Sequence, residues 1–176
     1  MRKHRRKTPC RRTTVALVAV VAAGAVGIPT AAMASDAPQE KPAASTRASK
    51  APGAATRVLK LVNRERRKAG CSPLKLNAEL TKAAQVHSAD MASHRNMSHT
   101  GSGGSAPDDR ISRAGYDSHA YGENIAHGYA TPESVVRGWM ASPGHKRNIL
   151  DCSFKEIGVG LARPGNYWTQ DFGTAR

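Results

Sequence analysis

The chain has 176 residues, a formal net charge of +14 and three cysteines, enough for one domain with an appended segment. Aromatic residues make up only 5% and none interleave with the basic runs, which excludes the stacking surface of a nucleic-acid binder. The longest apolar run, residues 15–28, is shorter than the ~18 residues a membrane-spanning helix needs.

Residues 1–34 read as a secretory signal peptide. A basic start precedes the apolar run, and Ala32-Met33-Ala34 supplies a small-x-small cleavage pattern. The protein is therefore expected outside the cell, or anchored by its N-terminus if the leader stays uncleaved. Arg11-Arg12 sits in a poor context for a twin-arginine leader, so the export route stays open. Removing the leader takes seven of the 27 basic residues, leaving 20 against 13 acids, a net of +7. Such a surface favours anionic cell-envelope components. Most of these charges, as in Arg64-Glu65-Arg66-Arg67-Lys68, read as a solvated helix face.

Residues 35–53, rich in Ala, Pro, Ser and Lys without apolar periodicity, read as a disordered linker. The folded domain is expected over 54–176. Val58, Leu61, Val62 and Glu65 mark one face of a first helix, stopped by Gly70. Asn77 caps a second helix with Glu79 in its first turn, and Leu80, Ala84, His87 and Met91 share a face. Residues 101–105 form a loop. A short helix over 108–114 ends at Gly115. Thr131-Pro132-Glu133 starts another helix, with Val135, Val136, Trp139 and Met140 on its buried side, and Ser142-Pro143-Gly144 breaks it. Residues 157–162 and 167–172 alternate as strands joined by a turn at 163–166. Helices first and an antiparallel pair last define an α+β class.

Cys71 and Cys152 survive leader removal, and outside the cell an even pair predicts a disulfide. Closing that 81-residue loop contributes about 4–5 kcal/mol in the chain-entropy account.

Of seven histidines, His87 reads as a core residue and His94 as a cation suited to a helix end; His119 and His127 lie in polar turn contexts. His99, His145 and Glu123 each sit at an abrupt change of backbone. Two histidines and a carboxylate with an open position would suit Zn²⁺ or another divalent cation, although spacing alone does not bring them together. Glu123 can equally be a catalytic acid or a buried brace. No H-E-x-x-H or G-x-S-x-G pattern occurs, and no strand or Lys-Ser/Thr frames the glycine loop as a phosphate cradle.

The ordered segments Leu76-Asn77…Leu80…Ala84…His87-Ser88, Met97-Ser98-His99, Arg110…Gly115-Tyr116, Gly122-Glu-Asn-Ile-Ala126, Gly138-Trp-Met-Ala-Ser-Pro-Gly-His145, Ile157-Gly-Val-Gly160 and Tyr167-Trp-Thr-Gln…Phe172-Gly173 together resemble the CAP superfamily. That superfamily groups cysteine-rich secretory proteins, venom antigens and plant pathogenesis-related proteins; the closest likeness is to short bacterial secreted members. The resemblance implies a three-layer α-β-α sandwich with a small antiparallel sheet. It also implies a cleft where His99, Glu123 and His145 meet. A fourth acidic residue of the animal and plant pattern is replaced here by Ser142, and Glu133 on the same helix does not take its role. Without a second carboxylate, Glu123 is expected to bridge His99 and His145, with or without a metal between them. The expected function is a binding module for a divalent cation or a small lipid-like ligand. A purely structural cluster ranks second, and a metal-dependent hydrolase third.

Overall fold

The computed structural model describes residues 53–176. The leader over 1–34 and the linker up to residue 52 lie outside the described residues. Nine elements follow in order: α1 (Ala54–Lys68), β1 (Lys75–Leu76), α2 (Ala78–His94), α3 (Pro107–Ala114), β2 (Ser118–Ala126), α4 (Pro132–Ala141), α5 (Pro143–Leu150), β3 (Glu156–Ala162) and β4 (Tyr167–Ala175).

Local chemistry sets most of the ends. Asn77 Oδ1 accepts from Leu80 N at 2.9 Å and starts α2. Thr131 Oγ1 accepts from Ser134 N at 3.1 Å and starts α4, and Gly115 closes α3. The break at Ser142-Pro143-Gly144 does more than the sequence reading allowed. Proline pushes the residue before it into extended backbone, and Ser142 accordingly has φ −97° and ψ 120°. The proline ring is also preset for a first helical position, so α5 begins at once. His145 therefore stands in the first turn of a helix, not on a loop.

The sheet runs β1-β3-β4-β2. β3–β4 and β4–β2 are antiparallel, and the two-residue β1 joins parallel to β3. β2 was not legible in the sequence; Glu123, expected at an abrupt change of backbone, lies within it, as does His119, expected in a polar turn. Gly122, Glu123 and Asn124 at its middle are poor strand formers, so cross-strand pairing and packing override local preference.

Alternation divides the sheet into two faces. Ile157, Val159, Trp168 and Phe172 face a large core with Val58, Val62, Val135, Trp139 and Ile149, which α1, α4 and α5 contribute. Gly158 and Gly160 face α2, and a Cβ at either would overlap the helix backbone at Leu80 or Ala84. Glycine on alternate residues of β3 thus lets α2 lie directly on the sheet. Ser88 on α2 then donates to Thr169 on β4 at 2.9 Å. The result is the expected three-layer α-β-α sandwich. The outer edge of β2 is closed by side chains: Trp139 Nε1 donates to Ile125 O and Asn148 Nδ2 to Glu123 O, each at 3.1 Å.

Cys71 and Cys152 form the expected disulfide, with Cα atoms 5.0 Å apart. Beside it the reading of Arg66 as a solvated residue is overturned. Arg66 is fully buried. Its guanidinium donates to the carbonyls of Ser72, Ile149, Asp151 and Phe154 at 2.7–3.0 Å. Arginine and disulfide together staple the turn after α1 to the segment leaving α5.

Candidate functional site

Glu123 projects from the middle of β2 toward α2 and α3, its side chain only 3% exposed. Both carboxylate oxygens are taken. His99 Nδ1 donates to Oε1 at 2.7 Å, and Arg110 Nη2 donates to Oε2 at 2.6 Å. Arg110, buried on α3, also donates from Nη1 to Ser105 O at 2.7 Å, which ties the glycine loop to the cluster. Burial opposes ionisation of Glu123. The bond from His99 and the charge of Arg110 outweigh it and hold its pKa below the usual carboxylate range.

His87 is the buried residue the sequence suggested, with a positioning part. Its Nε2 donates to Ser98 O at 2.9 Å and so fixes the backbone that carries His99. The same nitrogen lies 4.0 Å from Glu123 Oε1. Burial lowers the pKa of His87 despite that neighbouring charge, which keeps the ring neutral.

His145 approaches from the other side of the sheet edge. Its backbone oxygen accepts from Asn124 Nδ2 at 3.1 Å, and Asn124 in turn bonds Gln170 and Asn148. Its imidazole makes no hydrogen bond to Glu123. The expected bridge from His99 through Glu123 to His145 is thus corrected: the second donor on Glu123 is Arg110. His99 and His145 are nonetheless near neighbours. Burial lowers the pKa of His145, and the charge of His99 lowers it further.

A second carboxylate, expected to be lacking, is present. Asp171 on β4 stands directly opposite Glu123 in the register and is 1% exposed. Burial, then the charge of Glu123, pushes its pKa well above the ordinary carboxylate range. Ser142, at the substituted position, instead lines an apolar cavity of about 280 Å³ against His145, walled by Met97, Ile125, Tyr129 and Trp139.

The donor set tests the metal expectation. Among the described residues no three His, Cys, Asp or Glu side chains gather into a metal-holding group. Glu123, with both oxygens bonded, does not complete a three-ligand site. Two imidazoles remain. His99 has its Nδ1 committed to a carboxylate and its side chain 53% exposed, the arrangement in which a carboxylate orients a histidine whose other nitrogen binds metal.

Sequence reasoning took Arg110 only as part of the family likeness, with no place in the site, and missed Asp171. Arg110 offered a faint signal, a base next to apolar Ile111 on a short helix. Asp171 offered its place among buried strand residues.

Fold and site define a class of protein: an α-β-α sandwich carrying a histidine–carboxylate–arginine cluster at the edge of its sheet. Residues 59–172 match CAP, the cysteine-rich secretory protein family, and the chain belongs to that family. The uncharacterized protein YkwD of Bacillus subtilis (strain 168) is 41% identical over 116 residues, 66% of this chain and 45% of YkwD. The chain thus spans less than half the length of that curated relative. An extracellular protein containing an SCP domain from Bacillus anthracis str. Ames superposes with a TM-score of 0.66 at 28% identity, over 69% of this chain and 40% of that one. An outer surface protein of Borrelia burgdorferi shares the fold, with a TM-score of 0.63 at 22% identity over 68% of this chain and 90% of its own. No helix among the described residues is long and apolar enough to cross a membrane.

Proposed function

We propose that this CAP domain is an exported binding module whose cleft takes a divalent cation through His99 and His145, with an apolar group of a small lipid-like ligand in the adjoining cavity. The observation that carries this reading is the 2.7 Å bond from His99 Nδ1 to Glu123, which leaves the other nitrogen of a half-exposed ring free beside His145. The lowered pKa of His145 favours the neutral form that binds metal. Zinc or copper suits two imidazoles, with the remaining positions open to water or ligand. The exposed Met97 and Tyr129 at the cavity give an amphipathic ligand its apolar contact.

Binding is favoured over hydrolysis because both carboxylates are poorly placed to act as a base. Glu123 is neutralised by Arg110, and Asp171 is enclosed. Export is supported by the leader pattern, by the disulfide and by the likeness to an extracellular protein and an outer surface protein. On that footing, the basic surface would bring the domain to anionic envelope components.

Thermal unfolding with and without Zn²⁺ tests the metal reading. A cation bound at a hundred times its Kd raises stability by about 2.7 kcal/mol. The rise should vanish in His99→Ala combined with His145→Ala. An unchanged melting temperature of the wild type at millimolar Zn²⁺ would sink it.

A further inference from the structure

The helices on the two sides of the sheet carry opposite balances of charge. Helices α1, α4 and α5 hold nine Lys and Arg against two acids, a net of +7. Helices α2 and α3 hold three against four, a net of −1. The positive surplus of the helices therefore lies wholly on one side. Of the nine cations there, Arg66 alone is buried and eight face solvent. At about 3.6 residues per turn, Arg57, Lys60, Arg64, Arg67 and Lys68 share one side of α1. Arg57, Arg64 and Arg137 line the groove between α1 and α4, and Lys146 and Arg147 line the groove beside α5. Met140 and Ala141 belong to both grooves, so one runs into the other and the cations form a single track.

Three acids border the track and cancel part of its charge. Glu65 through Lys68, Glu133 through Arg57 and Asp151 through Ser153 are held below the usual carboxylate range, so all three stay ionised. Eight exposed cations against these three acids still leave a surplus of +5. Lys60, Arg67, Arg137, Lys146 and Arg147 have no acidic partner among the described residues. The face is also polar. The exposed large apolar side chains Leu76, Val86, Met97, Tyr121 and Tyr129 all stand outside α1, α4 and α5, so these helices offer no wedge to a lipid bilayer. Trp139 on α4 is 1% exposed and gives nucleic-acid bases nothing to stack on.

We infer that the outer face of α1, α4 and α5 is a docking surface for a linear, hydrophilic polyanion of the cell envelope, one with an anionic group on each repeat unit. Cations strung along two joined grooves match a long chain of charges better than a single small ion. Arginine supplies most of them, and its planar fork suits phosphate oxygens. The inference rests on the export reading and sharpens its anionic partner to one face and one class. Neither groove includes His99 or His145, so it stands apart from the metal reading.

The test is titration of the purified protein with long-chain sodium polyphosphate over a series of salt concentrations, with phosphatidylglycerol vesicles as a second arm. The log of the association constant should fall linearly with log salt, by about 0.7 per phosphate neutralised. Arg137→Gln, Lys146→Gln and Arg147→Gln combined should flatten that slope by about 2 and weaken binding by about tenfold or more near physiological salt. Lys82→Gln, Arg95→Gln and Arg113→Gln combined remove as much charge away from the track and should change affinity less than about twofold. All six side chains are exposed, so unchanged melting temperatures verify both folds. The first variant should keep the Zn²⁺-induced rise in melting temperature. Binding by the purified protein is read independently of export, which fractionation of the culture tests. Equal weakening in the two triple variants, tighter binding to the vesicles than to the polymer, or no salt-dependent binding at all would each overturn the inference.

Discussion

Glu123 and Arg110 are a buried ion pair at 2.6 Å, with side chains 3% and 6% exposed. Replacing Glu123 leaves a guanidinium enclosed without its counter-charge, and breaking such a pair costs about 3–5 kcal/mol. Glu123→Gln keeps one acceptor oxygen for His99 or Arg110, so it falls near ~3 kcal/mol; Glu123→Leu keeps none and falls near ~5 kcal/mol. From the sequence alone, Gln is tolerable in a site that is only a brace. The buried arginine removes that tolerance. In a domain of this size the loss lowers the melting temperature by roughly 10–20 °C. Urea unfolding at neutral pH measures it, in a cycle with Arg110→Met. Removing both charges together should cost at least about 2 kcal/mol less than the two single losses added. Strict additivity would refute the pairing. The pH dependence gives an independent reading. Because the folded pKa of Glu123 is depressed, its stabilisation is present above the unfolded value near ~4.3 and is lost as pH falls through the folded one. The gap between wild type and Glu123→Gln should therefore narrow in acid.

Three further outcomes follow from the same geometry. Arg66→Met leaves four carbonyls without their donor and should cost about 3–5 kcal/mol by denaturant unfolding; Arg66→Lys, a point charge without the planar fork, should recover less than half of that. Gly160→Val drives a side chain into the backbone of α2 and should cost about 3 kcal/mol, with amide exchange accelerating along α2 before α1. Asp171 has its folded pKa raised, so the native state holds its proton longer and stability falls as pH rises from about 4 toward the folded value, by up to ~1.4 kcal/mol per unit. Asp171→Asn should remove that slope in a pH series of unfolding curves, and an identical slope in the variant would show that Asp171 does not cause it.

What the sequence disclosed and what it withheld divide along a physical line. Elements governed by their own residues were readable: Asn77 and Thr131 cap helices through bonds three residues away, and Gly115 ends one. The strand pair 157–162 and 167–172 carried its own alternation. Elements that exist because of something distant were not. β2 places Gly, Glu and Asn in a strand because Asn148 and Trp139 satisfy its outer carbonyls and β4 its inner edge. Arg66 looks solvated until the carbonyls of residues 149–154 fold against it. The site shows the same division. His99, Glu123 and His145 were found through resemblance, because they stand on different elements and no local period links them. Arg110 escaped because its role depends on α3 lying over β2, and Asp171 because only the β2–β4 register sets it opposite Glu123. The glycines of β3 join the two levels. Their alternation was visible as a strand, but its consequence, a helix laid directly on the sheet, places His87 where it can fix Ser98 and hence His99. The geometry of the cleft therefore depends on residues that touch no ligand, and Gly160→Val should weaken Zn²⁺ binding although it lies on the far side of β4 from β2.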